Sequence, residues 1–557
     1  MNLNLPHRKI VLVALGLYAL AVTSCKKNEN IDLPDPAPTA PVVVASGTRE
    51  QQTLDSIFLY AKDVYLWNTS LPEYAAFNPR QYAGNLSGFN QELYALTQYS
   101  PVNTATSLPY EYPLTAAAAA RFDAKYSYID DVSDNNTLAA VQNEKSSVDL
   151  EGIGNDIGVK IGAYGVAGSA NAYTIYIQAV YQGSPADLRG LTRGATITKI
   201  NGVSYGANYN NEVNAINAAF NSSAITIAGV LKDGITPYSY TLAETAYRSS
   251  PIYAAKVLAV NSTKVGYLSY ARFSTLANSK PGFDAAFTDF ASQGVTKLVI
   301  DLRYNGGGYV NTAQYLINQI ATTALTGKVM FKERYNTKMQ NGTATIMANQ
   351  PLFNADGSFQ KTSTGRVANY SDLAKDYFSE AKQVTNFSKA GPLQGVTDVV
   401  FIVSRGTASA SELVINSLKP HLNVKIVGTN SYGKPVGFFP VTLNYVKDKT
   451  TGKETGYDVY YSMFQTTNSL NEGNYFNGFT PDIALTNGQD DASHDFGDIN
   501  ETYLARALSL LVTGPLTSGS ATMSIQGRRV SSSSVTLQTL RDGAEFNGMI
   551  ADRPRLK

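Results

Sequence analysis

Two short segments carry the residues best suited to nucleophilic and acid–base chemistry. Ser409 lies between a predicted buried strand and a predicted helix, and Glu412 follows it by one helical turn. Lys434 stands in a second turn, after another predicted buried strand. A lysine can activate a serine when it is desolvated enough to be partly neutral. The residue types and their positions therefore indicate a Ser–Lys hydrolytic site.

Histidine and cysteine are too scarce to support a histidine-activated serine or a thiolate metal site. The chain has three histidines and one cysteine, and neither His421 nor His494 lies in a turn that follows a predicted buried strand. A Gly-x-Ser-x-Gly elbow and a His-Glu-x-x-His helix are both missing from the sequence. A Ser–His–Asp triad is poorly supported, and a single cysteine excludes a cysteine-built zinc site. We expect no metal and no cofactor.

The turns that hold these residues follow strands of an expected α/β core. The predicted buried strands are 298–302, 398–404 and 424–427, and each leads into a glycine-containing turn. The first of these turns is Asp301-Leu302-Arg303-Tyr304-Asn305-Gly306-Gly307-Gly308. Ligands of open α/β sheets bind at the ends of strands, so we expect the three turns to meet at one edge.

Taken together, the three turns resemble those of the C-terminal processing, or tail-specific, serine peptidases, whose core is a crotonase/ClpP-like α/β fold. The family's serine-rich motif ending in glutamate is matched by Thr407-Ala408-Ser409-Ala410-Ser411-Glu412, and its Gly-Lys loop by Gly433-Lys434. The family's closing Gly-x-x-Pro-Asp is matched by residues 478–482. The resemblance covers most of residues 50–512.

The resemblance implies a role for each matched residue. Ser409 is the nucleophile and Lys434 the general base. The backbone N–H of Gly307 or Gly308, together with that of Ala410, forms the oxyanion hole. For Glu412 a catalytic role and a first-turn carboxylate that complements the helix dipole remain open.

One position departs from the family pattern. Many members carry a glutamine four residues after the lysine, which orients it, whereas Phe438 stands there in this chain. Glu412 or a backbone carbonyl would have to replace that glutamine. For Ser409 alone, a helix N-cap is the competing structural interpretation, because serine is a preferred capping residue.

A second resemblance precedes the core. Residues 150–245 are similar to the PDZ domains of bacterial proteases, through Gly183-Ser184-Pro185-Ala186 and the hairpin signal Asn201-Gly202. Such a domain adds a peptide as a strand and binds its terminal carboxylate with backbone N–H groups. The carboxylate loop has two possible registers, Gly152-Ile153-Gly154 and Asp156-Ile157-Gly158, and the sequence does not choose between them.

The N-terminal sequence predicts localisation in the cell envelope. Basic residues precede an apolar run, Ile10–Val22, that is too short to span a membrane comfortably. Val22-Thr23-Ser24-Cys25 resembles a bacterial lipobox, in which Cys25 is lipidated. A proline-rich polar stretch follows and is expected to act as an extended tether. The resemblance implies an outer membrane anchor, with the protein facing the periplasm or the surface.

These observations give the following division: 1–24 lipoprotein signal peptide, 25–48 tether, 49–145 helical N-terminal domain, 150–245 PDZ domain, 250–512 protease core and 513–557 C-terminal extension. The extension carries no usable motif, and its charged end is expected to be weakly ordered. The expected fold is thus α/β, with an N-terminal helical segment and an inserted PDZ β-domain.

The resulting functional hypothesis is an envelope serine endopeptidase acting on protein or peptide substrates. Alternatives are a catalytically inert PDZ scaffold lipoprotein and, less compatible with a PDZ domain, a crotonase-like acyl hydrolase of small molecules. A net charge of +1 over 557 residues argues against nucleic acid as a partner. The oligomeric state does not follow from the sequence.

Overall fold

The computed structural model describes residues 46–132, 148–166, 168–261, 263–354, 358–447, 454–485, 490–513, 548–551 and 553–556. The predicted signal peptide, Cys25, nearly all of the tether and most of the C-terminal extension lie outside these residues. Within the described part of the chain, no helix combines the length and apolar character needed to cross a membrane.

Short helices and strands form the N-terminal segment, largely where the sequence predicts helix. They are α1 (Arg49–Val64), α2 (Tyr74–Phe77), α3 (Leu86–Thr97), β1 (Val102–Asn103), β2 (Leu108–Pro109), α4 (Ala116–Ala120) and β3 (Tyr128–Asp131). Thr48 begins α1 with a reciprocal capping box to Gln51. The apolar face of α1 belongs to the same hydrophobic cluster as the helices of the core, so this segment has no separate core of its own.

A small β-domain follows, with a hydrophobic cluster of its own. Its elements are β4 (Ile153–Asp156), β5 (Val159–Gly165), β6 (Tyr173–Val180), β7 (Thr196–Ile200), β8 (Val203–Ser204), α5 (Tyr209–Phe220), β9 (Ala224–Val230), β10 (Pro237–Ala243) and β11 (Thr245–Arg248). The sheet order is β10-β9-β7-β6-β5, with β8 paired to β7. Strands β4 and β11 pair with each other where the chain enters and leaves the domain. Asn201 and Gly202, both with positive φ, form the predicted hairpin between β7 and β8.

The rest of the described chain forms a mixed α/β core. Its elements are β12 (Ile252–Val260), β13 (Thr263–Tyr270), α6 (Leu276–Ser292), β14 (Lys297–Asp301), β15 (Gly307–Tyr309), α7 (Val310–Ile320), β16 (Val329–Tyr335), α8 (Thr337–Gln340), β17 (Val384–Asn386), β18 (Asp398–Val403), α9 (Ala410–Leu418), β19 (Asn423–Gly428), β20 (Val436–Gly437), β21 (Val441–Lys447), β22 (Glu454–Tyr460), β23 (Phe464–Asn468), β24 (Ile483–Ala484), α10 (Thr502–Leu508) and β25 (Gly548–Ile550).

The central sheet has the order β12-β13-β14-β18-β19-β24, and it is parallel from β13 onward. Alternate residues of each strand face opposite sides. In β18, Val399 and Phe401 join the large cluster with α6, α7 and α9, whereas Val400 and Ile402 join a second cluster with α10. Burial on both faces explains why these strands appear in the sequence as continuous apolar runs.

The C-terminal end of the chain differs from its expected weak order. Gly548–Ile550 forms β25, which pairs in parallel with β15. Its order comes from backbone pairing with residues about 240 positions earlier, a contact that no local sequence pattern can signal.

Candidate active site

Ser409 lies at the start of α9, where the carboxyl end of β18 turns into the helix. It is fully buried, with φ of 60° and ψ of −109°. A helix-capping serine has an extended backbone and accepts a hydrogen bond from the first turn. Ser409 has a positive φ in place of an extended backbone, and its Oγ is buried without a hydrogen-bond partner among the described residues. A strained backbone and an unengaged hydroxyl are typical of a nucleophile at a strand-to-helix turn.

Glu412 connects the serine turn to the lysine loop. One carboxylate oxygen accepts hydrogen bonds from the backbone N–H of Ser409 and of Lys434, both at 2.8 Å. The other accepts from Ser431 Oγ at 2.6 Å and from the Gly433 N–H at 2.7 Å. Burial raises the pKa of Glu412, while these hydrogen bonds act in the opposite direction. The contacts make Glu412 a positioning residue that holds the two turns together.

Lys434 is 1% exposed, and burial lowers its pKa to about 7. The carboxylates of Glu111 and Glu412 oppose this shift, and the Lys125 ammonium adds to it. The Nζ also lies 4.8 Å from the centroid of the Phe438 ring. A buried lysine with this pKa is partly neutral near pH 7, as a general base must be.

A backbone carbonyl of the N-terminal segment orients the lysine. Lys434 Nζ donates to the carbonyl oxygen of Tyr126 at 3.1 Å. The next residue, Ser127, is held by buried Glu111, which accepts from its N–H and its Oγ, both at 2.9 Å, and from Ser462 Oγ at 2.8 Å. The sequence alone does not decide whether Glu412 or a backbone carbonyl replaces the family's glutamine, and it carries no signal for Glu111 or Tyr126.

The two glycines assigned to the oxyanion hole have different surroundings. The N–H of Gly307 donates to Asn305 Oδ1 at 2.9 Å, so it is already engaged. Both glycines have positive φ, 111° for Gly307 and 132° for Gly308, and a side chain on Gly308 would lie 2.1 Å from the Phe273 carbonyl oxygen. The N–H of Ala410 belongs to the first turn of α9, where helix N–H groups lack intrahelical acceptors. Gly308 and Ala410 are therefore the better pair of donors.

Buried arginines tie the oxyanion turn to the β-domain. The Arg303 guanidinium binds Asp301, Glu501 and Asp490, the last at 2.6 Å. Arg193 of the β-domain binds Asp490 at 2.7 Å. Burial alone would raise the pKa of Asp490, but the two arginines outweigh it and hold that pKa below its usual range. One carboxylate thus connects the β-domain to the turn that carries Gly307 and Gly308.

The predicted peptide-binding residues fall into two places. Ile153 and Gly154 lie in β4, paired with β11, and the Gly152 carbonyl accepts from the Ser249 N–H. Ile157 and Gly158 lie in the turn before β5, which is an edge strand of its sheet in the described chain. The Gly158 N–H donates to the Asp156 carboxylate at 2.7 Å.

Comparison with known proteins gives one family. The model of Peptidase family S41 matches residues 264–485. The "C-terminal processing peptidase, chloroplastic" of Tetradesmus obliquus is 24% identical over 261 residues, which cover 45% of this chain and 42% of that protein. The "Carboxy-terminal processing protease CtpB" of Bacillus subtilis (strain 168) is 25% identical over 289 residues, 51% of this chain and 47% of that protein. The match thus spans less than half the length of each curated relative.

A solved structure supports the fold over a longer range. A protein from Bacteroides fragilis NCTC 9343, assigned to the S41 proteases, has a TM-score of 0.50 and 21% identity to this chain. The similarity covers 82% of this chain and 96% of that one. The family match includes the turns that carry Gly307, Ser409 and Lys434. On these findings residues 264–485 match peptidase family S41.

Proposed function

We propose that the chain is an envelope serine endopeptidase in which Ser409 attacks the peptide carbonyl and Lys434 is the general base. One arrangement supports this more than any other. Glu412 binds the backbone N–H of both residues, while the Ser409 Oγ stays buried and without a partner among the described residues. Buried serine hydroxyls usually have a partner, and Ser409 combines its open hydroxyl with a backbone N–H that binds the same carboxylate as that of Lys434.

The reaction follows from the protonation state of the lysine. Neutral Lys434 takes the proton of Ser409 as Oγ bonds to the substrate carbonyl carbon. The N–H groups of Gly308 and Ala410 stabilise the oxyanion, and Lys434 returns the proton to the leaving amine. A water molecule, activated in the same way, then hydrolyses the acyl-enzyme.

Burial and orientation supply what the missing glutamine would give. The Tyr126 carbonyl accepts a hydrogen bond from Nζ at 3.1 Å, which orients the amine in the site. Phe438 takes the glutamine's position, and its buried ring helps to exclude water from Lys434. The ring face also lies 4.8 Å from Nζ, and this contact favours the ammonium and opposes the desolvation. The lysine is thus both oriented and kept close to neutrality.

We assign substrate recognition to the β-domain, in the manner of a PDZ domain. A peptide would add as a strand to the open edge of β5, with its terminal carboxylate near the N–H groups of Ile157 and Gly158. The backbone of Gly152, Ile153 and Gly154 is engaged in the β4 region, which favours the second register. Asp156 already accepts from Gly158, so an incoming carboxylate would have to replace it.

The proposal includes a lipid anchor at Cys25 and a tether over residues 25–48. These would hold the enzyme at the outer membrane, facing the periplasm or the surface. Its substrates would then be proteins or peptides of the envelope.

The test is hydrolysis of an unfolded protein by the purified full chain. We expect fragments from the wild type and none from Ser409→Ala. Ser417→Ala is a matched control, because Ser417 is also buried in α9 with an unpartnered Oγ in the described chain but lies two turns away. Peptide binding without hydrolysis by the wild type would replace this proposal with the inert scaffold.

A further inference from the structure

Residues 548–551, near the end of the described chain, lie beside the turns of the candidate active site. Strand β25 pairs in parallel with β15, Gly548 opposite Gly307 and Met549 opposite Gly308. On its other side, the Phe438 N–H donates to the Met549 carbonyl and the Ala551 N–H to the Phe438 carbonyl, both at 3.0 Å. The segment therefore runs as an extended strand between the oxyanion turn and the loop that follows Lys434.

The Gly548 carbonyl oxygen lies close to both Gly307 and Ser409. A methyl group on Gly307 would lie 2.5 Å from the Gly548 oxygen and 3.0 Å from Ser409 Cβ. The Gly548 N–H donates to the Gly306 carbonyl at 3.2 Å. In a parallel ladder a residue bonded in this way directs its own carbonyl toward the N–H two positions further along the partner strand. That N–H belongs to Gly308.

The residues after Gly548 are held as a bound peptide would be. Met549, Ile550 and Ala551 are buried. Further along, Gln360 exchanges two hydrogen bonds with the backbone of Leu556, at 2.9 and 3.0 Å. Ala551 and Pro554 line a cleft of about 170 Å³ beside the start of α7.

We infer that the chain's own C-terminal segment is a substrate of this site, and that the bond cut is Gly548–Met549. The inference rests on the proposed function. Ser409 Oγ attacks the Gly548 carbonyl carbon, and the bond to the Met549 nitrogen breaks. Lys434 passes the serine proton to that nitrogen, and water then releases Gly548 as a carboxylate. The products are a chain ending at Gly548 and a free peptide of residues 549–557.

Self-cleavage would control the access of other substrates, because β25 occupies the strand position beside Ser409. A separate substrate must occupy the same strand position to reach Ser409, so the uncut segment blocks it. Cutting turns a tethered segment into a short peptide that can dissociate. The site would then be open to other substrates.

The test is the intact mass of the purified full chain. We expect the wild type and Ser417→Ala to lack residues 549–557, and Ser409→Ala to retain them. Met549→Pro changes only the segment itself and should also retain them, because proline removes the N–H and adds bulk at the leaving nitrogen. Met549→Pro therefore tests the inference even if Ser409→Ala fails to fold.

The outcomes separate this inference from the proposed function. A wild type that cleaves an added unfolded protein but retains residues 549–557 overturns self-cleavage alone. Loss of these residues from folded Ser409→Ala also overturns it, since another protease would then be responsible. A wild type that cleaves neither the added protein nor itself overturns both.

Discussion

At the residue scale, the proposed chemistry depends on the pKa of Lys434, on which burial and nearby carboxylates act in opposite directions. Burial lowers the pKa of Lys434 to about 7, while Glu111 and Glu412 raise it. Ser409, Glu412 and Lys434 could be identified from the sequence because they stand in motifs at fixed spacing. Glu111 and Tyr126 could not, because they come from irregular segments and meet Lys434 across 308 or more positions of the chain.

Glu111 provides a prediction that separates positioning from simple structural support. Glu111→Gln should lower the pKa of Lys434, because the carboxylate that stabilises the ammonium is gone. The rising limb of kcat/KM against pH should therefore move to lower pH. Maximal kcat should fall, because an amide cannot accept all the hydrogen bonds that hold Ser127, each worth about 1.5–3 kcal/mol to a charged group.

Glu92→Gln is the matched control for that variant. Glu92 is also fully buried, and its carboxylate oxygens have no hydrogen-bond partner within the described residues. It is not among the groups that shift the pKa of Lys434. An unchanged pH profile in folded Glu111→Gln, or an equal shift in Glu92→Gln, would remove Glu111 from the positioning role.

At the element scale, the central strands could be predicted from the sequence, whereas the short strands and the ionic cluster that pack around them could not. Residues 298–302, 398–404 and 424–427 are apolar runs, and the structure has strands at Lys297–Asp301, Asp398–Val403 and Asn423–Gly428. The short strands β20 and β25 carry no such pattern, because their order comes from pairing with distant backbone. The ionic cluster around Asp490 likewise joins residues that are far apart in sequence.

Asp490 tests what that cluster contributes. Asp490→Asn should lower the free energy of unfolding by about 3–5 kcal/mol, since it leaves buried Arg193 and Arg303 with less counter-charge. It should also lower kcat, because Arg303 lies in the turn of the oxyanion hole. Asp376→Asn, in an exposed pair with Lys382, should change stability by less than about 1 kcal/mol. Urea unfolding of the wild type and of the two variants measures these changes in stability.

The same variant has a defined pH dependence. The pKa of Asp490 is lowered in the folded chain, so its stabilisation is complete above the ordinary carboxyl value of about 3.9 and is lost as the pH falls below it. The stability difference between wild type and Asp490→Asn should shrink on acidification over that range. A difference that stays constant there would show that the charge of Asp490 is not what stabilises the fold.

At the scale of the whole molecule, the predicted N-terminal domain and the predicted protease core share one hydrophobic cluster, whereas the β-domain has a cluster of its own. Helix α1 shares a hydrophobic cluster with α6, α7 and α9, and Tyr126 of the same segment reaches Lys434. The order of segments could be predicted from the two resemblances. The dependence of the lysine on the N-terminal segment could not, because it rests on a single backbone carbonyl.

Recognition of substrate ends should depend on the β-domain. We expect a substrate with an amidated C-terminus to be processed less efficiently than one with a free carboxylate, by about 1.5–3 kcal/mol in kcat/KM. Asp156→Asn removes a negative charge next to the Gly158 N–H and should strengthen the preference for the free carboxylate. Equal kcat/KM for both substrates in wild type and variant would exclude carboxylate docking at this turn.

The most direct test of the Ser–Lys assignment is kcat/KM against pH for hydrolysis of an unfolded protein, with Lys434→Arg measured beside the wild type. The wild type should gain activity through a single ionisation near pH 7 and level off above it, because the lysine must be neutral to accept the Ser409 proton. Lys434→Arg should be folded by circular dichroism and inactive, because a guanidinium keeps its proton at any working pH. A folded Lys434→Arg chain with near wild-type rates would show that Lys434 is not the base.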